Sequence, residues 1–348
     1  MPRKITLTYE QKCRVLASVN PQSYDNNFTY GLNILNDLLF ISIPRKFNSS
    51  SLDAFLVDID FVFKQVTHPS AILSLRETNE ISILGLIIIY KFIAYTATHR
   101  TFQVASVDIP QKINRRFEEI GLSNLINSYI VKSDRNSAFN NLKKVTENSF
   151  FIYPQKLVRR EEHLDENIRS LFCETISEFY TAHGKANATG LLSTCIGELI
   201  MNFWEHATDE SETVVTAHGT LNTFKIVLAD NGQGIATTLS STSSKSKEEL
   251  ISSCIRKGVT SKKHSYHMGF GLYYVSELTK LNDGTLNIWS EGYRLTTNRK
   301  RSSIRKTGHW KGTIIELHLD LSKPKNIQEM QLYKGFKPSI KINFGGQS

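Results

Sequence analysis

Glu198 and Asn202 are two polar residues whose types and spacing could do chemistry. They lie in the segment 193–207, whose apolar residues recur at the spacing of an amphipathic helix. Four residues apart on a helix, the two side chains share one face. A carboxylate there can take a proton from water, and a carboxamide oxygen can join a magnesium shell. Taken alone, the pair is more simply interpreted as a solvated polar face, so other segments must decide.

A short apolar run, Phe224–Ala229, predicts a buried strand that leads directly into Asp-Asn-Gly-Gln-Gly-Ile at 230–235. An aspartate at a strand end can accept a hydrogen bond from an exocyclic amine. The two glycines would let the backbone approach a flat ring closely. The alternative is a hairpin turn, which Asn-Gly favours, but the polar segment that follows does not have the pattern of a partner strand.

Glycines also precede a predicted helix, because Gly269-Phe270-Gly271-Leu272 is followed by an amphipathic stretch that ends at Asp283-Gly284. Amide groups at such a helix N-terminus can bind a phosphate, although simple capping is at least as common. Further on, Lys311-Gly312-Thr313 opens a predicted strand, 313–319, whose threonine would face the same cleft. Four segments therefore carry groups suited to a flat base, a phosphate and a metal ion.

In this order the four segments resemble the GHKL superfamily, with E-x-x-x-N on a helix, D-x-G-x-G after a strand, G-x-G-L before a helix and G-T at a final strand. That superfamily holds the ATP-binding domains of gyrase, the large heat-shock chaperone, histidine kinases and mismatch-repair proteins. The resemblance covers residues 164–322 and implies a Bergerat-type two-layer α/β sandwich with a mixed sheet. The stretch ELIMNFWEHA, with His206 four residues after Asn202, is most similar to anti-sigma-factor serine kinases and their relatives.

The resemblance implies a role for each matching residue in binding ATP with Mg²⁺. Asp230 would hold the adenine amino group with support from Thr313, and Asn202 would ligate Mg²⁺. Glu198 would act as general base, on water in an ATPase or on a hydroxyl in a kinase. Glycines and their apolar neighbours would shape the base pocket and the phosphate cradle: Gly232, Gly234, Ile235, Gly269, Gly271 and Leu272.

Residues 236–267 would form the lid over the phosphates in this superfamily. The segment is rich in Ser, Thr and Lys and contains a predicted short helix at 247–258. Either Lys262 or Lys263 could reach a γ-phosphate, and the sequence does not choose between them. A histidine kinase would carry its phosphoacceptor upstream, but no proline follows His163 and an α/β pattern precedes it. We therefore expect His163 to be a surface or helix-start histidine.

With 348 residues, of which 40% are hydrophobic and 22% charged, the chain has the composition of a soluble two-domain protein. Its four cysteines are scattered without a C-x-x-C pair, so we expect buried or idle thiols in a reducing compartment. The first residues lack the apolar region of a signal peptide, and the most apolar run, Ile81–Tyr90, is about half the length that spans a bilayer. The cytoplasm is the expected location, without membrane contact.

An alternation of strand and helix patterns characterises residues 49–132. Strands are predicted at 55–63, 71–75 and 101–108, and helices at 83–100 and 113–126. This rhythm implies a parallel sheet. The order resembles a STAS domain, the fold of anti-anti-sigma factors, and so implies an α/β module that docks on a protein partner.

The chain departs from the STAS family at the turn that is phosphorylated there. The acceptor position is Ile83, which has no hydroxyl, and Ser82 is better suited to cap the following helix. We therefore expect a docking or regulatory module that is not switched in the family's usual way. Outside the two domains, residues 1–48 have no assigned role, 133–163 are predicted as a linker and 323–348 as a tail.

The span Arg294–Lys311 contains seven Lys or Arg residues and no acid, and it accounts for much of the net charge of +9. It lies between the last two predicted strands, where a solvated hairpin loop is the favoured interpretation. Binding to an acidic partner or a nucleic-acid backbone stays open, although no nucleic-acid-binding motif accompanies the span.

Three functional hypotheses follow. The first is a Mg²⁺-dependent ATPase or serine/threonine kinase in a partner-switching circuit, recruited or restrained by its STAS-like module. The second is an ATP-gated clamp that forms a homodimer when its lid closes. The third is a nucleotide-binding interaction protein without turnover, against which Glu198 argues. The absence of a hydroxyl at Ile83 argues against self-phosphorylation in the first.

Overall fold

A computed structural model describes residues 32–35, 38–64, 71–99, 104–130, 143–158, 166–206, 212–241, 244–261 and 270–326. Its helices are α1 (Leu52–Ile59), a 3-10 helix (Asp60–Lys64), α2 (Ile83–His99), α3 (Gln111–Glu119), α4 (Leu122–Ile130), α5 (Glu166–Ala182), α6 (Ala186–His206), α7 (Ile235–Ser240), α8 (Lys247–Ser253) and α9 (Gly271–Leu281). Its strands are β1 (Leu32–Leu35), β2 (Leu38–Ser42), β3 (Lys46–Phe47), β4 (Ala71–Ser74), β5 (Glu80–Ile81), β6 (Val104–Asp108), β7 (Lys143–Val145), β8 (Ser149–Val158), β9 (Glu212–Thr220), β10 (Thr223–Ala229), β11 (Thr285–Ser290), β12 (Tyr293–Asn298), β13 (Ser302–Lys306) and β14 (Thr313–Asp320).

The second half of the chain is built on a large sheet whose described strands follow the order β13-β12-β11-β14-β10-β9-β8-β7. Every pairing between these strands is antiparallel, which corrects the mixed sheet expected from the superfamily. The reason lies in the connections, because β7–β8, β9–β10 and β11–β12–β13 follow one another through short turns, and a short turn imposes antiparallel pairing.

One face of the large sheet is covered by α5, α6 and α9. Leu192, Ile196, Leu199 and Phe203 of α6 are buried in the core between these helices and the sheet. The spacing of these residues is the apolar stripe of an amphipathic helix, so the helix predicted over 193–207 is confirmed as far as His206, where α6 ends.

The opposite face is covered by the described residues between 32 and 130, here called the N-terminal module. Its own sheet has the order β1-β2-β4-β6, parallel except for the β1–β2 hairpin. Val227 and Ala229 of β10 belong to the core that the module shares, whereas Ile226 and Leu228 belong to the core under α6. The large sheet is therefore the middle of three layers. Helices and sheet are the two layers predicted for residues 164–322, and the N-terminal module adds a third because both sheet faces are apolar.

Helix α2 is the apolar helix at the centre of this shared core, and it packs on β9 and β10. Its polar atoms are paired there, since the Tyr90 hydroxyl donates to Glu212 Oε1 at 2.7 Å and Lys91 Nζ donates to the Glu212 carbonyl at 2.8 Å. Within the described ranges, no helix combines the length and the apolar character that crossing a membrane requires.

The strand predicted at 55–63 is wrong, because this run forms α1 and the start of the 3-10 helix. Leu52, Phe55, Leu56 and Ile59 are buried at the i, i+3, i+4, i+7 spacing of a helix. The two aspartates of Asp58-Ile59-Asp60 gave the run an apparent two-residue alternation that concealed this period.

The other elements predicted in the module are present, but one predicted helix is divided into two. The strands at 71–75 and 101–108 are β4 and β6, and the helix at 83–100 is α2. The helix predicted over 113–126 is two helices, because Gly121 adopts φ +77° and ends α3. The Ser82 hydroxyl accepts from the Gly85 amide at 3.2 Å, which confirms Ser82 as a helix cap. The likeness to STAS domains stays a prediction.

Strands also lie where no domain was predicted. β1, β2 and β3 fall before residue 49 and join the module, and β7 and β8 fall within the predicted linker and join the large sheet next to β9. A linker is therefore wrong for 143–158. Phe150 and Ile152 show the reason, because they alternate along β8 and are buried in the core under α5.

The basic span 294–311 is not a loop, since β12 and β13 occupy most of it. Its first arginine is buried against the module, where Arg294 NH1 donates to the Ser49 carbonyl at 2.9 Å and lies 3.4 Å from Asp53 Oδ2. Asp53 also accepts from Trp289 Nε1 at 2.6 Å and contacts the Arg305 guanidinium. Part of the basic charge therefore pairs within the chain.

We predict that Asp53→Ala destabilises the protein. The substitution leaves the Arg294 guanidinium, 9% exposed, without its carboxylate, and breaking such a buried pair costs roughly 3 kcal/mol. Urea denaturation would measure the free energy of unfolding. Arg305→Ala is the matched control, because its side chain is 60% exposed and an exposed pair contributes about 1 kcal/mol or less. Equal losses in the two variants would contradict the buried role of Asp53.

Candidate functional site

Helix α6 presents Glu198 and Asn202 on the face opposite its buried stripe, both of them half-buried. Asn202 Nδ2 donates to the Glu198 carbonyl at 2.8 Å, a bond that holds the carboxamide along the helix. With the carboxamide held in this way, Oδ1 is the acceptor atom that Asn202 can offer a ligand.

The first turn of α9 lies directly against this pair. A Cβ atom built on Gly271 would lie 2.6 Å from Glu198 Oε2 and 3.0 Å from Asn202 Nδ2, so only glycine leaves the carboxylate its place. The structure thus brings Glu198, Asn202 and the N-terminus of α9 together, as the two sequence segments predict.

Glu198 also changes the pKa of Tyr274, which lies one turn into α9. Burial and the nearby Glu198 carboxylate raise the pKa of the Tyr274 phenol. Burial likewise raises the pKa of Cys195 and of Cys254 to about 12. These three groups therefore stay protonated at neutral pH, and the two thiols are the idle, buried cysteines expected from the sequence.

Asp230 follows the last residue of β10 and is held by the start of β14. Its Oδ1 accepts from the Gly232 amide at 2.7 Å and from the Thr313 amide at 3.2 Å. Its own amide donates to the Thr313 carbonyl at 3.0 Å. Between them, Gly312 adopts φ +95° and packs on Asp230 without room for a side chain. The carboxylate orientation is fixed by the backbone around it, and no hairpin forms here.

Ser290 and Glu291 support the same loop from β11, and neither was predicted. The Ser290 hydroxyl donates to the Gly312 carbonyl at 2.8 Å and accepts from the Ile235 amide at 3.0 Å. Glu291 Oε2 accepts from the Thr237 amide at 2.9 Å, and Gly234, at φ +87°, lets its carboxylate approach. A serine and a glutamate at a strand end carry no distinctive spacing, so no sequence signal could have found them.

One cavity opens between α6, α9, the Asp230 loop and the lid. Eight of the predicted site residues line it: Glu198, Asn202, Asp230, Gly234, Ile235, Gly271, Leu272 and Thr313. Gly232 contributes its amide to Asp230, whereas Gly269 lies outside the described residues, as do Lys262 and Lys263 of the lid and His163 upstream. The four segments that were linked by their order along the chain thus meet at one site.

Further residues, most of which the sequence analysis did not single out, complete the walls. Met201 lies one turn beyond Glu198, and Ile315 lies two residues after Thr313 on the same face of β14, so helical and strand periods could have found both. The remaining walls come from α6, α7 and the lid: Phe203, His206, Thr238, Leu239, Cys254, Val259, Thr260 and Ser261. Ser261 Oγ lies 3.4 Å from His206 Nδ1, which ties the lid to the end of α6.

The oxygen donors at the cavity fit a hard cation that takes most of its ligands from phosphates and water. Within the described residues, no cluster of three or more His, Cys, Asp or Glu could hold a metal ion by itself. Asn202 Oδ1 beside Glu198 offers a single amide oxygen, and Mg²⁺ is commonly held by one or two protein oxygens together with phosphates and water. The residues therefore fit Mg²⁺ bound together with a phosphorylated ligand.

Residues 187–323 match the family model described as histidine kinase-, DNA gyrase B-, and HSP90-like ATPase. This segment is similar to a GHKL ATPase domain and is here called the GHKL-type domain. The match covers less than half of the chain, and it contains every residue that lines the cavity. A comparison with curated proteins and another with solved structures each returned no match. A greater similarity to anti-sigma-factor serine kinases than to other members of the superfamily stays a prediction.

We predict that Gly312→Ala destabilises the GHKL-type domain. A Cβ at this position would lie 2.5 Å from the Asp230 carbonyl oxygen and 2.7 Å from the Gly232 nitrogen, and backbone atoms cannot move aside. Crowding adds to the strain of a positive φ, so the expected loss is about 3 kcal/mol of unfolding free energy.

Gly184→Ala is the matched control for this loss, which urea denaturation would measure. Gly184 also has a positive φ, +68°, but a Cβ there would meet no atom within 4 Å. Its expected loss is about 1 kcal/mol, from backbone strain alone. A loss at Gly312 no larger than that at Gly184 would contradict the close packing of Gly312 on Asp230.

Proposed function

We propose that the GHKL-type domain binds ATP in this cavity and transfers the γ-phosphoryl group to water or to a protein hydroxyl. The observation that carries the proposal is the meeting of Glu198, Asn202 and the N-terminus of α9 in a cavity that Asp230 also lines. A base, a metal ligand, a phosphate site and an acceptor for an exocyclic amine are the parts that such a reaction needs.

The adenine ring would lie at the Asp230 end. Two backbone amides hold Asp230 Oδ1, so the carboxylate keeps one orientation and accepts from the exocyclic amine with its other oxygen. Met201, Leu239 and Ile315 supply apolar walls for the faces of a flat ring. These walls favour a base over a sugar or a peptide at this end.

The phosphates would lie against α9. This helix is 11 residues long, and its first amides, at Gly271 and Leu272, have no partner within the helix. The helix dipole adds a partial positive charge there, which favours an anion. Asn202 Oδ1 would ligate Mg²⁺, which when bound neutralises charge that develops on the phosphates.

Glu198 would act as the general base. A water molecule beside it gives a proton to the carboxylate while its oxygen bonds to the γ-phosphorus, and the bond from that phosphorus to the bridging oxygen breaks to release ADP. In a kinase, a serine or threonine hydroxyl takes the place of this water. Backbone amides that are already in position would supply much of the charge stabilisation.

A separate protein is the expected acceptor or regulator in the kinase case. Ser82 is used as a helix cap and Ile83 has no hydroxyl, so this chain does not carry the acceptor turn of a STAS domain. We propose that the N-terminal module recruits or restrains the GHKL-type domain in a partner-switching circuit. An ATP-gated homodimer is the alternative, and a mass measurement in solution with a non-hydrolysable ATP analogue distinguishes it.

We predict that Asp230→Asn abolishes ATP binding. The asparagine oxygen would keep the two amide bonds that Oδ1 accepts, which turns Nδ2 toward the adenine amine and sets donor against donor. Isothermal titration with ATP measures the affinity. Asp283→Asn, at an aspartate that is half exposed on the surface, is the control and should bind like the wild type. Unchanged affinity in Asp230→Asn would refute the assignment of the adenine end.

We predict that Glu198→Ala binds ATP but turns it over at least about 10²-fold more slowly, as expected for loss of a general base. Glu174→Ala, at an exposed glutamate of α5, is the matched control. The measurement follows γ-labelled ATP with Mg²⁺. Label on free phosphate indicates an ATPase, and label on a protein indicates a kinase. If label moves equally fast in Glu198→Ala, then Glu198 is not the base.

A further inference from the structure

Residues 309–313, here called the bridge segment, contact both the N-terminal module and Asp230. The segment leads from β13 into β14. Its first two residues contact the 3-10 helix of the module, and Lys311 Nζ lies 5.9 Å from the centroid of the Tyr95 ring of α2. No residue pattern marked it in the sequence beyond the G-T pair at its end. Its position between the 3-10 helix of the module and Asp230 suggests a role in setting the geometry of the cavity.

On the module side, the contacts come from the 3-10 helix and α2. The His309 amide donates to Asp60 Oδ1 at 2.6 Å. The Trp310 ring meets Phe63 edge to face, with ring centroids 5.2 Å apart. Trp310 is fully buried, so its ring position is set by this packing rather than by solvent.

On the cavity side, the same tryptophan contacts the adenine end of the site. Trp310 Nε1 donates to the Asp230 carbonyl at 2.8 Å. The pairing of β10 with β14 ends at Ala229, one residue before, so this carbonyl lies beyond the sheet ladder and Trp310 provides it with a donor. The carboxylate of Asp230 is held by the last residue of the bridge segment, since the Thr313 amide donates to Asp230 Oδ1 at 3.2 Å.

We propose that Trp310 is a positioning residue for nucleotide recognition, through which the N-terminal module sets the orientation of Asp230. The inference rests on the proposed function, because it assigns Asp230 to the exocyclic amine of the base. A carbonyl that loses its donor lets the Asp230 peptide rotate, and the carboxylate on the same residue then meets the amine less well. Selectivity for adenine would therefore depend on contacts that lie on the far side of the sheet.

The test compares affinity for ATP with affinity for inosine triphosphate, which carries a carbonyl oxygen in place of the amine. Trp310→Phe in the full chain keeps an aromatic ring against Phe63 and removes the Nε1 donor. We expect the preference for ATP over inosine triphosphate to fall about 3- to 10-fold, the effect of losing one buried hydrogen bond. A purely structural role would lower stability without changing this ratio.

Trp289→Phe is the matched control. Trp289 is also fully buried, but its one side-chain N–H donor, Nε1, donates to Asp53 of the module at 2.6 Å. It should lose stability to a similar degree and keep the wild-type preference. An equal change of preference in Trp310→Phe and Trp289→Phe would overturn the proposal, as would no change in Trp310→Phe.

A second variant tests the contact with the module, and it keeps the proposal testable if Trp310→Phe does not fold. Phe63→Leu removes the ring of the module that meets the tryptophan edge to face, and it should also reduce the preference for ATP, by less than Trp310→Phe does. An unchanged preference in Phe63→Leu would overturn the link to the module. Failure of the wild type to bind ATP, or equal preference in wild type and Asp230→Asn, would instead refute the proposed function.

Discussion

Both faces of the large sheet are apolar, and the need to cover both of them determines the rest of the structure. Along β10, Ile226 and Leu228 point into one core while Val227 and Ala229 point into the other. Apolar burial is the main favourable term in folding, so neither face can be left to water. Helices α5, α6 and α9 cover one face, and the N-terminal module covers the other. The module is therefore part of the folded unit that contains the GHKL-type domain.

The cavity lies where this layered arrangement ends. Strands β10 and β14 stop pairing at Ala229 and Ile314, and the backbone groups just beyond them need other partners. Asp230 meets that need on two sides, because its carboxylate accepts amides from its own loop and from Thr313 while its carbonyl accepts from Trp310. A residue that lines the cavity is thus also the residue that closes the end of the sheet. Such positions are rigid, and rigidity is what recognition of a flat base requires.

Most of the site could be predicted from the sequence because its parts are local. Glu198 and Asn202 are a helical pair, Asp230 follows its own strand and Gly271 begins its own helix, so each motif is defined within a few residues. Their order along the chain then sufficed to bring them together. Helices α6 and α9 and strands β10 and β14 were predicted for the same reason, whereas β7, β8, β12 and β13 were not. Ser290 and Glu291 support the loop from a distant strand, and nothing in their neighbours signals that use.

The interface between the layers could not be predicted, because its partners are distant in sequence. Arg294 was counted with a basic span and interpreted as a solvated loop, yet it is buried beside Asp53, far earlier in the chain. A count of charges cannot distinguish these cases, since it records how many cations a segment has and not which anions the fold brings to them. A second arginine of the same span, Arg299, pairs with Asp283 at 2.9 Å. When a segment forms strands inside a layered fold, some of its charges pair within the chain. Its net charge therefore overstates the charge that is available to an outside partner.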